Sequence, residues 1–372
     1  MINAETVWKN EELIEFRLRS LYRSSGYAPY QMSKFEEYDL YARNKQFLVS
    51  ENIITFTDSD GKLMALKPDV TLSIIKNTKD VPGSVQKLYY DENVYRVSKG
   101  TKSFGELTQV GLECIGDVDE YCVAEVLGLA AESLAEISDD YVLDISDLSL
   151  LGAVIERLGI NDVAKAEILH CIGEKNIHGI RAIAEREQAN KPALEMLTAL
   201  YSCNFPLQKA IPALREVLPE LGAQIDRLAC ISEALGADAA KRVRFDCSVV
   251  NDMSYYNGIV FKGFINGVPA GVLSGGQYDG LMQKMGRKSR AIGFAVYLDM
   301  LERFGGRTAS FDVDAVLLYD DGCDPALLAR AARQLRQEKG CVTVLKKLPD
   351  GLKYRELLCM KNGEVSVLEA NA

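Results

Sequence analysis

The stretch from Phe245 to Phe304 restricts the fold of this chain more than any other. It holds two Asn-Gly pairs, Asn257-Gly258 and Asn266-Gly267, each flanked by apolar and aromatic runs. Such pairs supply positive φ angles at tight turns between antiparallel strands. Ser274-Gly275-Gly276 then leaves no Cβ to keep a neighbouring backbone or ligand away, and a short helix is expected from about Tyr278. The segment ends in a strand-to-helix passage rich in apolar residues. By themselves the glycines fit plain turn-making as well as a site.

Upstream, Asn10 to Ser24 has the apolar spacing of an amphipathic helix. Ile53–Thr57 and Leu63–Leu66 flank Asp58-Ser59-Asp60-Gly61, the chemistry of a hairpin turn. A helix is expected to open at Pro68, with Asp69 in its first turn, where capping and ligand binding are both open to the carboxylate. Val85 to Ile115 reads as a second antiparallel pair. In its second strand Val110, Leu112 and Cys114 share one face, and Gln109, Gly111 and Glu113 share the other. Two polar side chains astride a glycine fit a solvated face, or the floor under a small polar ligand.

Helices are expected at Glu120–Ile137 and Leu148–Leu158 around a strand at Tyr141–Ile145. The chain is then helix-forming from Asn161 to Gly236, with breaks at Pro192, Pro206 and Pro212. Beyond Gly305-Gly306, strands at Val313–Leu318, Val342–Leu345 and Val365–Leu368 and a helix at Pro325–Lys339 describe a small α/β appendage. The expected domains are therefore residues 1–160 and 241–308 as two parts of one core, 161–240 as a helical insertion, and 309–372 as a C-terminal domain.

Composition narrows the function. Lys and Arg number 43 against 53 Asp and Glu, a net charge of −10, which disfavours a nucleic-acid partner such as tRNA. Arg330, Arg333 and Arg336 share one helix, a pattern that solvent exposure explains. Nine scattered cysteines without a CxxC pair suit reduced thiols, and no metal site is expected. His170 and His178 are read as surface residues. The amino terminus lacks a signal-peptide pattern and no apolar run would span a bilayer, so a cytoplasmic location is expected.

In their observed order, TFTDSDGKLMALKPDVT, ENVYRV, ELTQVGLECIG, MSYYNGIVF, SGGQYDGL and AIGFAVYLDML resemble the core of the histidyl-tRNA synthetase family over about residues 10–304. The resemblance implies an α+β fold: a class II aminoacyl-tRNA synthetase-like antiparallel sheet with flanking helices. It also implies a histidine pocket built from Asp69, Thr71, Arg96, Gln109, Glu113, Tyr255, Tyr256 and Tyr278. The departures fall on the ATP side. Asn251-Asp252 stands where that family has Arg-Gly, Met300 takes the place of the arginine of motif 3, and the loop between Lys99 and Glu106 has no arginine. Ser33 replaces the motif 1 proline. Adenylate formation depends on preorganised cations, and losing one such donor typically costs about 3 to 4 kcal/mol in the transition state. Lys99 and Lys102 do not reproduce a guanidinium fork.

A synthetase-like core with an amino-acid pocket and no ATP clamp is similar to the regulatory subunit family of ATP phosphoribosyltransferase. Membership implies no catalysis and no cofactor, a short catalytic subunit as partner, L-histidine as effector, and a homodimer within a hetero-oligomer. A divergent histidyl-tRNA synthetase and a histidine- or tRNA-sensing paralogue are the alternatives. The C-terminal segment is similar to a shortened anticodon-binding domain.

Overall fold

The computed structural model describes residues 9–45, 53–97, 103–250, 256–301, 311–361 and 363–371. Asn10–Phe304 forms one compact unit. Its centre is a nine-stranded sheet that runs, edge to edge, through Ala28–Pro29, Val85–Val97, Phe104–Gly116, Arg290–Tyr297, Leu273–Gln277, Ile259–Ile265, Tyr141–Asp147, Val243–Phe245 and Phe205–Pro206. Pairing is antiparallel except at Ala28–Pro29 with Val85–Val97 and at Tyr141–Asp147 with Val243–Phe245. The α+β class II synthetase-like expectation holds.

Alternation along Phe104–Gly116 divides two cores. Val110, Leu112 and Cys114 face a large apolar cluster with Phe261, Phe294 and the helices Asn10–Ser24 and Glu120–Ile137. Asp119 caps the second of these helices by accepting the Cys122 N–H at 2.9 Å. Ile115 and Tyr90 instead join a smaller cluster with Leu72, Ile75, Tyr278 and Leu281. There the helix Thr71–Asn77 and a three-stranded sheet of Phe35–Glu37, Leu63–Leu66 and Thr55–Thr57 cover the main sheet.

Residues Asp162 to Arg242 are helical for the most part, and Asn161, Asn176 and Asn190 cap successive helices by accepting N–H bonds from Ala164, Gly179 and Ala193. Ile168, Leu197, Leu214 and Leu228 enter the large cluster. Pro192 and Pro206 stand at helix starts, but Pro212 does not break its helix, Leu207–Val217. Burial of Leu207, Ala210 and Leu214 around it outweighs the missing N–H.

Three other local expectations are corrected. The helix expected at Pro68 begins at Thr71, because Asp69 stands ahead of it and accepts the Leu72 N–H at 2.9 Å. Gly267 has the expected positive φ of 87°, but Gly258 does not. Gly258 is required by space instead: a Cβ there would lie 2.4 Å from Gln277 Oε1. The apolar passage at 290–301 is a strand to Tyr297, followed only by a 3-10 turn at Leu298–Leu301.

The described residues from Phe311 onward belong to a second unit. The strands Val342–Leu345, Val313–Leu318, Tyr354–Lys361 and Glu364–Ala370 lie in that order, with the helix Pro325–Lys339. Tyr354–Lys361 was absent from the sequence reading. Its pairing shifts register between Leu357 and Leu358, which disrupts the alternation that marks a strand.

Candidate functional site

Seven of the eight residues expected to form the pocket line one cavity of about 490 Å³: Asp69, Thr71, Arg96, Gln109, Glu113, Tyr256 and Tyr278. Tyr255 lies outside the described residues, as do Lys99, Lys102, Asn251 and Asp252. Sheet register explains the convergence. Glu113 stands opposite Gly293, and Gln109 opposite Tyr297. Tyr278 follows the neighbouring strand Leu273–Gln277, and its N–H bonds to the Ala291 carbonyl at 3.0 Å. Asp69 and Thr71 come from the opposite wall, at the start of the helix Thr71–Asn77.

Glu113 is the fixed point of the pocket. Its side chain is 2% exposed, and each oxygen accepts one hydroxyl bond, from Thr71 Oγ1 at 2.7 Å and from Tyr278 at 2.6 Å. Glycine at 293 makes room for it, since a Cβ there would fall 1.8 Å from Glu113 Oε2. Burial pushes the Glu113 carboxyl up to about 8; Asp69 adds to the shift, while the two hydroxyl bonds oppose it. Ionising it therefore costs about 5 kcal/mol relative to an ordinary glutamate, at about 1.4 kcal/mol per pH unit. Burial also raises Asp69, against the Leu72 N–H bond and the charge of Arg96. Arg96 is anchored through Nε to the Pro68 carbonyl at 3.1 Å.

A buried and a half-buried acid facing one cavity favour a ligand that brings N–H donors or positive charge, as an amino acid with a basic side chain does. The cations lining the cavity are Arg96 and Lys262 among the described residues, and Met300, 43% exposed, stands at its edge. Among the described residues these two cations are fewer than the array of positive charge that triphosphate chemistry uses.

Sequence reasoning missed Tyr90, Lys262, Ser274, Tyr297 and Asp299, which also line the cavity. The Tyr90 hydroxyl, raised by burial and by the nearby Glu113 and Asp69, lies against Gly111, where a Cβ would meet it at 2.5 Å. For Lys262 there was a usable signal: it is the single charge in the apolar strand Ile259–Ile265 and shares a face with Val260 and Phe264.

The family model for histidyl-tRNA synthetase matches residues 4–301. The chain belongs to the histidyl-tRNA synthetase family. Within that family, eight curated relatives at 25–29% identity carry the name ATP phosphoribosyltransferase regulatory subunit. The one from Moorella thermoacetica is 29% identical over 346 residues, 89% of this chain and 87% of that protein. Among solved structures, a protein from Bacillus halodurans described as an ATP phosphoribosyltransferase regulatory subunit/histidyl-tRNA synthetase superposes with a TM-score of 0.73 at 23% identity, covering 94% of this chain and 93% of its own. A chain of the ATP phosphoribosyl transferase (HisG:HisZ) complex from Thermotoga maritima superposes with a TM-score of 0.57 at 19% identity, over 76% of this chain and 96% of its own. These two show the synthetase-like fold. No helix among the described residues is long and apolar enough to cross a membrane, and no cluster of metal-ligating side chains occurs among them.

Proposed function

We propose that this chain is the non-catalytic regulatory subunit of ATP phosphoribosyltransferase in the first step of L-histidine biosynthesis. It activates a separate short catalytic subunit and carries feedback by L-histidine. The observation that carries the reading is the buried Glu113 carboxyl, held by Thr71 and Tyr278 in a cavity that has few cations. A carboxyl placed for a ligand N–H, with Arg96 and Lys262 as the cations lining the cavity among the described residues, supports amino-acid recognition over triphosphate chemistry. The shared name of the eight relatives supports the partner enzyme.

In this role Glu113 accepts an imidazole N–H, and Asp69, Thr71 and Gln109 surround the rest of the amino acid. Arg96, Tyr256 and Tyr278 complete the described lining. The chain works in the cytoplasm, as a homodimer within a hetero-oligomer, without binding tRNA. The test is phosphoribosyl-ATP formation by a short catalytic subunit, with and without this chain, over a histidine titration. Activation by the chain and its loss as histidine rises are the expected results; absence of activation refutes the regulatory role.

A further inference from the structure

The cavity extends well past the acidic end. Gly111, Ala295, Ser274 and Lys262 stand opposite one another on four adjacent strands. They therefore share one face and span three strand spacings, about 14 Å at ~4.8 Å each. Glu113 flanks the first of them and Lys262 is the last. A cavity of about 490 Å³ falls within the range of about 300–1,000 Å³ usual for ligands larger than a single amino acid.

Lys262 makes no ion pair among the described residues. Asp144 is its cross-strand partner, yet the ammonium lies instead over the Phe264 ring, 5.6 Å from its centroid. Asp144 has Arg244 Nε at 3.8 Å. The Lys262 stem crosses Gly271, where a Cβ would lie 2.4 Å from Lys262 Cε, so glycine at that position sets the path of the side chain. Between the two ends of the cavity, Ser274 Oγ and the Tyr297 hydroxyl share a hydrogen bond of 2.6 Å. One of these hydroxyls donates to the other, which keeps its own proton for a ligand.

We propose that the Lys262 end of the cavity is a second subsite, which takes a small anionic group, phosphate or carboxylate, beside the amino acid at Glu113. Lys262 supplies the charge and the Ser274–Tyr297 pair supplies a neutral donor. The subsite relies on the proposed amino-acid pocket only in sharing its cavity.

Calorimetry on the full chain with inorganic phosphate, pyrophosphate and citrate, each with and without saturating L-histidine, tests this. Wild type binds at least one of these anions, and the tighter class names the chemistry of the subsite. Lys262→Met weakens that binding about tenfold or more and leaves histidine affinity unchanged, whereas Lys262→Arg retains it. Gly271→Ala, which keeps every charge and displaces the lysine stem, also weakens anion binding, and it serves where Lys262→Met fails to fold. No anion binding by wild type at tens of millimolar overturns the subsite. So does equal anion binding by wild type and both weakening variants, or a loss of histidine affinity in Lys262→Met that matches the loss for the anion. Anion binding without histidine binding in wild type leaves the subsite standing and removes the histidine reading.

Discussion

Glu113→Gln acts where the pocket departs most from water. The carboxyl is 2% exposed and sits up at about 8 because of burial. About nine-tenths of it is consequently protonated near pH 7. An imidazole N–H bonds more strongly to the ionised carboxylate than to the neutral acid, whose carbonyl oxygen is a weaker acceptor, so binding neutral imidazole through the carboxylate near pH 7 costs about 1.4 kcal/mol for ionisation and releases about 0.9 proton. The sign follows: histidine affinity of the wild type rises about fivefold from pH 7 to about pH 8 as Glu113 ionises. The Gln side chain cannot ionise, so its affinity stays level over that interval. Near pH 8 it is weaker than wild type by about tenfold or more, because a hydrogen bond to a charged group is worth about 1.5–3 kcal/mol. Titration calorimetry in two buffers of unlike ionisation heat reads both the affinity and the proton count. A wild type whose affinity is level between these pH values, or a Glu113→Gln protein that binds as tightly near pH 8, refutes the reasoning.

Without ligand, the raised Glu113 carboxyl makes the unfolded state the better acid, so its contribution to stability falls as pH rises from about 4.5 towards about 8. Thermal unfolding should show Glu113→Gln gaining on wild type over that window; parallel curves would contradict the cited shift. Gly293→Ala forces a methyl group onto Glu113 Oε2 and should cost about 1–3 kcal/mol of stability, with loss of histidine binding by calorimetry. The isolated chain should not exchange pyrophosphate into ATP on adding histidine, and exchange at about 1 per second or faster would restore the synthetase alternative.

The sheet and the acidic end of the pocket were legible because a strand's period of two is visible in sequence. Gln109, Gly111 and Glu113 were separated from Val110, Leu112 and Cys114 by alternation alone, and the two sets do face different surroundings. Lys262 stands out in sequence as the single charge of an apolar strand, but its place at one end of this cavity was not legible, since which strand lies beside which depends on long-range pairing. Lys262 and Ser274 are opposite residues, but no local pattern announces that Tyr297, from another strand, bonds to Ser274. The start of the helix at Thr71 was misplaced for a related reason. Pro68 has the right chemistry to open a helix, but Asp69 takes the Leu72 N–H and the Pro68 carbonyl is held by Arg96, distant in sequence, so the helix opens only at Thr71.

Feedback needs more than a pocket; it needs a pocket whose two walls are tied differently in two states. Glu113 and Gln109 ride on the main sheet, whereas Asp69 and Thr71 ride on the segment that leads from the three-stranded sheet into the helix Thr71–Asn77. The walls are joined by the Thr71–Glu113 bond of 2.7 Å. A histidine held by both walls replaces or reinforces that link, so it stabilises whichever arrangement brings them to its own length. If that arrangement is the one that activates the catalytic subunit less, the coupling is reciprocal: the catalytic subunit in its active form must weaken histidine binding by the same factor, with about 1–3 kcal/mol being usual. On the proposed pocket, Asp69→Ala and Glu113→Ala would each remove a histidine contact with one wall. Either should shift inhibition to higher histidine while leaving activation largely intact, whereas unchanged inhibition in both would place the histidine sensor elsewhere in the complex.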